Sequence, residues 1–337
     1  MGRPTLSLVI PIYNEEAVLP TLASRLESVL ASWVDLAPTW EVVFVNDGSS
    51  DASATLLRDL ASREPRFRVL SFARNFGHQM AITAGLEYAE GDAVVVMDAD
   101  LQDPPEVVRE MLLRWRDGFD VVYAVRSRRH GESAFKRATA SLFYRILRAM
   151  LGGISIPVDA GDFRLMSRPV VLALRALGER HRFVRGMVAW VGFKQTSVSY
   201  ERSARFAGET KYPLRKMVKF ALDGITSFSV IPLRFATWLG MCSGVIAVLT
   251  AAWAFYAHFF AKGVIPGWTT IMIAVALAAS AQLIMIGILG EYVGRIYEEV
   301  KRRPLYIVSE ELNRPRYDAA EPERPRRDAR DRLPLQD

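Results

Sequence analysis

Residues 235–260 and 269–289 form two apolar runs without a single Asp, Glu, Lys or Arg, separated by a short connection at 262–268. A helix needs about 20 such residues to cross the hydrocarbon core of a bilayer. Each run reaches that length, so the pair predicts two transmembrane helices forming a hairpin. The competing reading is a buried helical hairpin of a soluble protein, and two such lengths back to back argue against it. Flanking charge sets the orientation. Arg215, Lys216, Lys219 and Arg234 precede the first run and Arg295, Lys301, Arg302 and Arg303 follow the second, against Lys262 alone in the connection. The positive-inside rule then places both ends, and the domain ahead of them, in the cytoplasm. No signal peptide is expected, because the N-terminus passes directly into a strand pattern. The formal net charge of +6 fits this membrane-facing basicity, and no interleaved basic and aromatic stripe points to nucleic acid. The lone Cys242 lies within the first run and can form no internal disulfide, which fits a reducing compartment.

The first 125 residues follow a different pattern. Strand signals at 6–13, 40–46, 67–71, 93–97 and 120–124 alternate with helical signals at 18–32, 51–62, 79–89 and 106–117, with Asp51 as the expected N-cap of the second helix. Repeated βαβ units predict an α/β fold, a mostly parallel sheet with helices on both faces. Ligands of such sheets sit beyond the carboxyl ends of the strands. Polar clusters fall there four times, at Asn14 and Glu15, at 46–51, at 74–78 and at 98–103. Clusters at corresponding strand ends predict one site.

The last cluster carries the sharpest chemistry. Val94, Val95, Val96 and Met97 read as buried strand and stop at Asp98, Ala99 and Asp100, with Asp103 close behind. Carboxylates at i and i+2 can turn toward one ligand once the chain leaves the sheet. Two hard oxygen donors suit Mg²⁺ or Mn²⁺, a cation usually shared with substrate phosphates. A polar turn after a strand is the competing reading. Pro104 and Pro105 end the loop, Glu106 falls in the first turn of the next helix, and Asp103 is expected to cap that helix. The histidines at 78, 130, 181 and 258 lack ligand spacing, so zinc is not expected.

Beyond residue 125, 133–152 reads as helix, and 163–166 and 195–200 read as strands with helices between them. Residues 211–231 carry apolar side chains at helical spacing beside Arg215, Lys216 and Lys219: either a helix lying in the membrane interface or an ordinary amphipathic core helix. The expected organisation is a cytoplasmic α/β domain over 1–210, an interfacial helix over 211–232 and the transmembrane hairpin over 233–290. A second juxtamembrane helix and extended segment over 291–310 and a charged, disordered tail over 311–337 complete it.

Six motifs occur in order: PIYNEE (11–16), VNDGSSD (45–51), RNFGHQMA (74–81), DADLQDPPE (98–106), DAGDFRLM (159–166) and GEYVGRIYEEVKRRPLY (290–306). In them the chain resembles the family 2 glycosyltransferases that load a sugar onto a polyprenyl phosphate. These include the bactoprenol glucosyltransferases and, more distantly, the dolichol-phosphate mannose synthases. The resemblance covers almost the whole chain to about residue 310. It implies a GT-A, Rossmann-like fold and inverting, metal-dependent transfer of a sugar to undecaprenyl phosphate. The reaction would take place at the cytoplasmic leaflet of the bacterial inner membrane, in cell-envelope glycan modification. Glucose from UDP-glucose is the first expectation. UDP-GlcNAc, UDP-galactose and GDP-mannose stay open, because DAGDFR is shared among enzymes using different donors.

The resemblance also implies roles. The segment matching Pro11, Tyr13 and Glu15 holds the nucleoside together with Asp47, Glu15 at the ribose and Asp47 at the base, with Asn75 and Gly77 in the same donor site. Asp98 matches a residue near the ribose and diphosphate, and Asp100 with Gln102 matches the metal ligands, Asp98 being counted beside them. Arg126 and Arg137 lie where relatives keep basic residues near the acceptor phosphate, and Arg202 and Lys211 are placed to close over the diphosphate. Asp162 is a candidate base near the acceptor. Positioning of the acceptor or of Arg164, or a structural ion pair, are its alternative roles, since an anionic phosphate needs little general-base help. Relatives form oligomers, some tetrameric, and the small residues Ala274, Ala276, Ala278, Ala279 and Ser280 suit close helix contacts in a homo-oligomer. A processive polysaccharide synthase would carry a Gln-x-x-Arg-Trp motif and more spans, and neither is found here. A non-catalytic membrane scaffold would not need the intact carboxylates.

Overall fold

The computed structural model describes residues 3–126, 160–180, 182–201, 231–260 and 267–314. The chain divides into two compact units. One comprises Met1–Tyr144, Ile154–Tyr212 and Pro304–Asp337, and the other Arg145–Gly153 and Pro213–Arg303.

The first unit is built on one eight-stranded sheet. Its strands are β1 (Leu6–Ile12), β2 (Trp40–Asn46), β3 (Phe67–Phe72), β4 (Ala93–Val96), β5 (Val121–Arg126), β6 (Ala160–Ser167), β7 (Gln195–Tyr200) and β8 (Val308–Leu312). Their spatial order is β7-β5-β6-β4-β1-β2-β3-β8. β1 pairs in parallel with β2 and β4, β2 with β3, and β5 with β7. β6 and β8 run antiparallel to their neighbours. Every residue of β1, β2, β3 and β4 is buried, which explains why these strands read as continuous apolar runs rather than alternating ones.

The helices of this unit are α1 (Leu19–Ala31), α2 (Ser53–Arg63), α3 (His78–Tyr88), α4 (Val107–Arg116), α5 (Arg168–Ala176) and α6 (Val184–Trp190). α1 buries Leu19, Leu22, Ala23, Leu26 and Leu30, a stripe at helical spacing, and starts with a proline whose missing N–H costs nothing there. α3 packs on β1 and β2. A Cβ on its Gly85 would stand 2.1 Å from Cγ1 of Val9, so only glycine permits that approach.

The bounds of β1 to β5, β7 and α1 to α4 fall within one or two residues of the expected ones, while β6 begins three residues earlier than expected and two corrections fall at the helix starts. The N-cap of α2 is Ala52, and Asp51 sits one position earlier, accepting the Ser53 amide at 3.0 Å. Asp103 does not cap α4. It is buried and accepts a 2.5 Å hydrogen bond from the Tyr200 hydroxyl on β7.

The amino ends of the strands enclose a buried polar network. Arg68 pairs with Glu41 at 2.8 Å, both nearly inaccessible, and Glu41 also accepts from Ser7 Oγ and from the Glu90 amide. Three arginines serve the last carbonyls of α3: Arg68 donates to Tyr88, Arg168 to Ala89, and Arg175 to Leu86 and Ala89. Cations there complement the negative end of the helix.

β8 lies beyond the apolar runs in sequence yet completes the sheet, pairing with β3. The expected division at 310/311 therefore cuts through a strand. Asn313, just past it, donates from Nδ2 to the Ala61 and Phe67 carbonyls at 2.6 and 2.9 Å.

In the second unit, α7 (Ile231–Phe260) and α8 (Trp268–Lys301) form a helical hairpin. They meet where Gly240 faces Met285: a Cβ on the glycine would lie 3.4 Å from the methionine sulfur. Trp238, Val245, Leu249, Leu277, Leu283 and Ile286 stand exposed on them. Among the described residues one stretch, Leu277–Lys301, is long and apolar enough to cross a membrane, and Ala236–Thr250 is apolar over a shorter length. α8 continues unbroken through residue 290, so no separate juxtamembrane helix starts there. The helices expected at 133–152 and 211–232 and most of the expected tail lie outside the described residues.

The Arg68–Glu41 pair supplies a test. Removing one partner of a buried pair leaves the other uncompensated, at a cost of about 3–5 kcal/mol. Arg68→Met should therefore lower the melting temperature of the purified protein markedly, while Arg66→Met, at an exposed pair with Glu64, should barely change it.

Candidate active site

The strand order reverses at β1, which has β2 on one side and β4 on the other. Such a switch point leaves a crevice outside the carboxyl ends. A cleft of about 360 Å³ opens there, lined by Pro11 near the end of β1, Tyr13 and Glu15 after it, Asp47 after β2, Asn75, Gly77 and His78 after β3, and Asp98 and Asp100 after β4.

Each of the four strand-end loops turns on one left-handed residue: Asn14 (φ 56°), Gly48 (φ 65°), Gly77 (φ 101°) and Leu101 (φ 58°). Two of these are not glycine and must be held by their surroundings. Leu101 is buried. Asn14 is tied to the second loop, its Oδ1 accepting the Ser50 amide at 2.8 Å while its own amide donates to Ser49 Oγ. The lacing continues through the Glu15 amide to Ser53 Oγ, the Glu16 amide to Asp51, and the Ala52 amide to the Glu16 carboxylate. Motifs far apart in sequence are therefore one hydrogen-bonded surface.

Asp47 joins the second loop to the third. Its buried carboxylate accepts the Phe76 amide at 2.6 Å and the Gly77 amide at 2.9 Å. Burial pushes its pKa up, opposed by those two amides and by the charges of His78 and Arg74. Gly48 beside it admits no substitute: a Cβ would lie 2.4 Å from the Arg74 carbonyl carbon and 2.5 Å from the Asn75 nitrogen.

The acidic end of the cleft is assembled by β6. In its antiparallel register Val96 faces Arg164, and continuing that register sets Asp162 opposite Asp98. Asp162 is held by Arg185 of α6 through two hydrogen bonds of 2.8 and 2.9 Å, with Arg164 at 3.7 Å and His78 Nε2 at 3.4 Å. Burial disfavours its charge, but the hydrogen bonds from Arg185 and His78 hold its pKa far below the usual carboxylate range. Such a group is a poor proton acceptor near neutral pH. Asp98 is the opposite case. Burial, with Asp162, Asp103 and Asp100 nearby, pushes it up to about 6 against the pull of His78. Its Oδ1 is buried and accepts no hydrogen bond among the described residues, although His78 Nε2 stands 3.6 Å away. Asp100 lines the cleft, and its Oδ1 accepts the Gln102 amide at 3.1 Å.

Among the described residues no three His, Cys, Asp or Glu side chains are grouped as a self-sufficient cation site. The donor set that is present, two cleft carboxylates with one buried oxygen lacking a hydrogen-bond donor, fits a hard divalent cation that takes its remaining ligands from a phosphate.

The sequence matches the family model described as Glycosyl transferase family 2 over residues 7–174. It is 49% identical over 302 residues to an uncharacterized glycosyltransferase, YkcC, of Bacillus subtilis, an alignment covering 90% of this chain and 92% of that protein. The chain belongs to glycosyl transferase family 2. It is also 40% identical over 305 residues to a prophage bactoprenol glucosyl transferase homolog of Escherichia coli, covering 90% of this chain and 98% of the relative. Against the bactoprenol glucosyl transferase of Shigella phage SfV it is 41% identical over 307 residues, covering 91% and 98%. The α/β sheet, mostly parallel with its cleft at the switch point, is the GT-A-like arrangement expected of a family 2 domain.

Of the residues expected in the family 2 site, Pro11, Tyr13, Glu15, Asp47, Asn75, Gly77, Asp98 and Asp100 come together in the cleft. Gln102 is not among the lining residues and meets Asp100 through its backbone. Asp162 sits behind Asp98 rather than on the lining. Arg126 ends β5, while Arg137, Arg202 and Lys211 lie outside the described residues. Two residues were missed. The sequence places His78 in the 74–78 cluster and dismisses it as a zinc ligand without giving it a role, although its position in RNFGHQ, beside expected donor residues, is a usable signal. Arg185 had none beyond the rule that a buried carboxylate needs a cation.

The substitution Gly48→Ala combines a forbidden contact with a left-handed backbone. It should lower stability by more than about 1 kcal/mol and open the 74–77 loop to proteolysis, a change read by melting temperature and by limited digestion.

Proposed function

We propose that this chain is a membrane-bound, inverting, metal-dependent transferase that moves glucose from UDP-glucose onto undecaprenyl phosphate at the cytoplasmic leaflet. The observation that carries the reading is the cleft itself. An amide-held Asp47 and Glu15 line it together with the carboxylates of Asp98 and Asp100. Relatives named bactoprenol glucosyl transferase, 40–41% identical over about nine-tenths of the chain, support the choice of acceptor and sugar.

In this reading Glu15 and Asp47 receive the ribose and base, with Pro11, Tyr13, Asn75 and Gly77 shaping the same pocket. Asp100, with Asp98 and Gln102, would hold Mg²⁺ or Mn²⁺, which when bound neutralises charge on the departing diphosphate. Arg126 and Arg137 orient the acceptor phosphate, and Arg202 and Lys211 cover the diphosphate. An acceptor phosphate oxygen forms the new bond to the anomeric carbon as the bond to UDP breaks, which gives a β-linked product from an α-linked donor. The phosphate arrives ionised, so no base is needed, and Asp162 serves to fix His78 and Arg185 around Asp98. The apolar hairpin of α7 and α8 anchors the enzyme as two spans. The bare apolar side chains on both helices support that reading. Small residues along α8 suit a homo-oligomer, with a tetramer as one arrangement.

The test is to incubate the purified protein with labelled UDP-glucose, Mg²⁺ and undecaprenyl phosphate and extract into organic solvent. Extractable label is expected. Its absence with UDP-glucose, UDP-GlcNAc, UDP-galactose and GDP-mannose alike would sink the reading, and a preference for one of the others would correct the sugar. Asp100→Asn should reduce turnover by at least about a hundredfold, the order expected for losing electrostatic stabilisation of the leaving group, with the melting temperature unchanged. Wild-type rates in that variant would refute the metal role.

A further inference from the structure

The motif that ends in Pro304, Leu305 and Tyr306 contributes nothing to the cleft lining, yet its tyrosine reaches the site through a short series of aromatic contacts. Tyr306 stacks on Phe72 with ring centroids 4.9 Å apart and planes 17° from parallel, and its hydroxyl donates to Glu87 on α3. The backbone is pinned beside it, where the Ala73 amide donates to the Ile307 carbonyl at 2.9 Å. Phe72, buried at the end of β3, meets Phe76 edge to face at 5.6 Å. On Phe76 also lies the guanidinium of Arg74, 4.1 Å from the ring centroid. The Phe76 amide is the 2.6 Å donor to Asp47.

The segment between Phe72 and α3 makes no strand or helix, and it contains Gly77 at φ 101°. Such a loop has no ladder of backbone bonds, so it is held by the Asp47 carboxylate at one end, by the Ala73 amide on the Ile307 carbonyl at the other, and by side-chain packing between them. Phe76 is its only aromatic anchor in sequence, and Phe72 is the surface on which that anchor rests. Tyr306 covers Phe72 on the strength of a ring stack and a hydrogen bond to a helix.

We infer that Tyr306 is a positioning residue for the donor nucleotide. By stacking on Phe72 it fixes Phe76, and so the two amides that hold the Asp47 carboxylate where the base is received. This rests on the donor-site reading above. Without the ring, β3 keeps its pairing with β2 and β8, but the loop samples arrangements in which Asp47 is not presented. Binding must then select the competent one, and affinity falls by its population. One aromatic contact of this kind corresponds to about threefold to tenfold in affinity.

The experiment is equilibrium titration of UDP, with Mg²⁺, into purified full-length protein, together with KM and kcat for the sugar donor. Tyr306→Leu should weaken UDP binding and raise KM by about threefold to tenfold, with kcat at saturating donor unchanged. Tyr306→Phe, which keeps the ring, should restore wild-type affinity. Glu310→Gln, which breaks the Arg58–Glu310 pair on the same terminal segment without touching the rings, should leave affinity alone. A Tyr306→Leu protein that melts earlier but binds UDP and donor as the wild type does would make the tyrosine merely structural and overturn the inference. Where that variant fails to fold, Phe76→Leu decides, and unchanged affinity there overturns it equally. The donor reading is tested apart from this: wild-type protein that binds no UDP, or Asp47→Ala that binds it normally, would remove that reading and the present inference together.

Discussion

The parallel pairing of β1 with both β2 and β4 is the constraint from which the site follows. Because these strands share a direction, the chain leaves all of them at one edge of the sheet. Because every residue of them is buried, the polar groups that serve chemistry are driven into the loops beyond. The loops are then close enough to satisfy one another. Asn14, Ser49, Asp51 and Ser53 use their side chains on the backbone of the neighbouring loop. A surface braced in this way presents Glu15 and Asp47 without needing a ligand to order it, and preorganisation of that kind lowers the cost of binding.

Charge is handled differently at the two edges. At the amino edge Glu41 faces Arg68 and Glu90 lies near Arg168, and both arginines also donate to helix carbonyls, although the Nε of each is buried without an acceptor among the described residues. Carboxylate and guanidinium charge there are matched within the protein. At the carboxyl edge Asp100, Asp103 and Asp162 lie near Asp98, and both Arg185 and Arg164 are drawn to Asp162. Asp98 is left with a buried oxygen and a raised affinity for a proton. Of these carboxylates Asp98 and Asp100 line the cleft, and a pair of hard oxygen donors there suits a divalent cation. The contrast between the edges is a stronger argument than the Asp-x-Asp spacing alone, since the same fold shows what a charge-matched buried cluster looks like.

What could be read beforehand, and what could not, divides along the same physical line. β1 to β4 and the helices between them were legible because burial on both faces writes itself as unbroken apolar runs, and α1 because its stripe repeats at helical spacing. The cleft residues were legible because strand-end position is a local property, as with Asp47 after β2. Asp103 was misjudged because its partner, Tyr200, lies on β7, nearly a hundred residues away, and a cap is the only role that local sequence suggests. Arg185 was invisible for the same reason: its meaning comes from the register of β6 against β4, which brings Asp162 beside Asp98. β8 reads in sequence as extended segment and tail because Val-Ser-Glu-Glu-Leu carries no strong apolar signal, and an edge strand needs none.

β8 also bears on how the sheet is completed. The apolar hairpin is inserted in sequence between β7 and β8, so the chain must pass through α7 and α8 before the last strand exists. Until then β3 presents an unpaired edge, with Phe72 at its end lacking the ring that stacks on it and the carboxyl end of α2 lacking the Asn313 donor. An open edge of that kind pairs readily with other chains. Closing it with residues that follow the hairpin ties the finished sheet to the presence of the whole chain. A truncated product therefore keeps most of the cleft residues, but loses the strand that seals β3 and the aromatic packing behind the loop that holds Asp47.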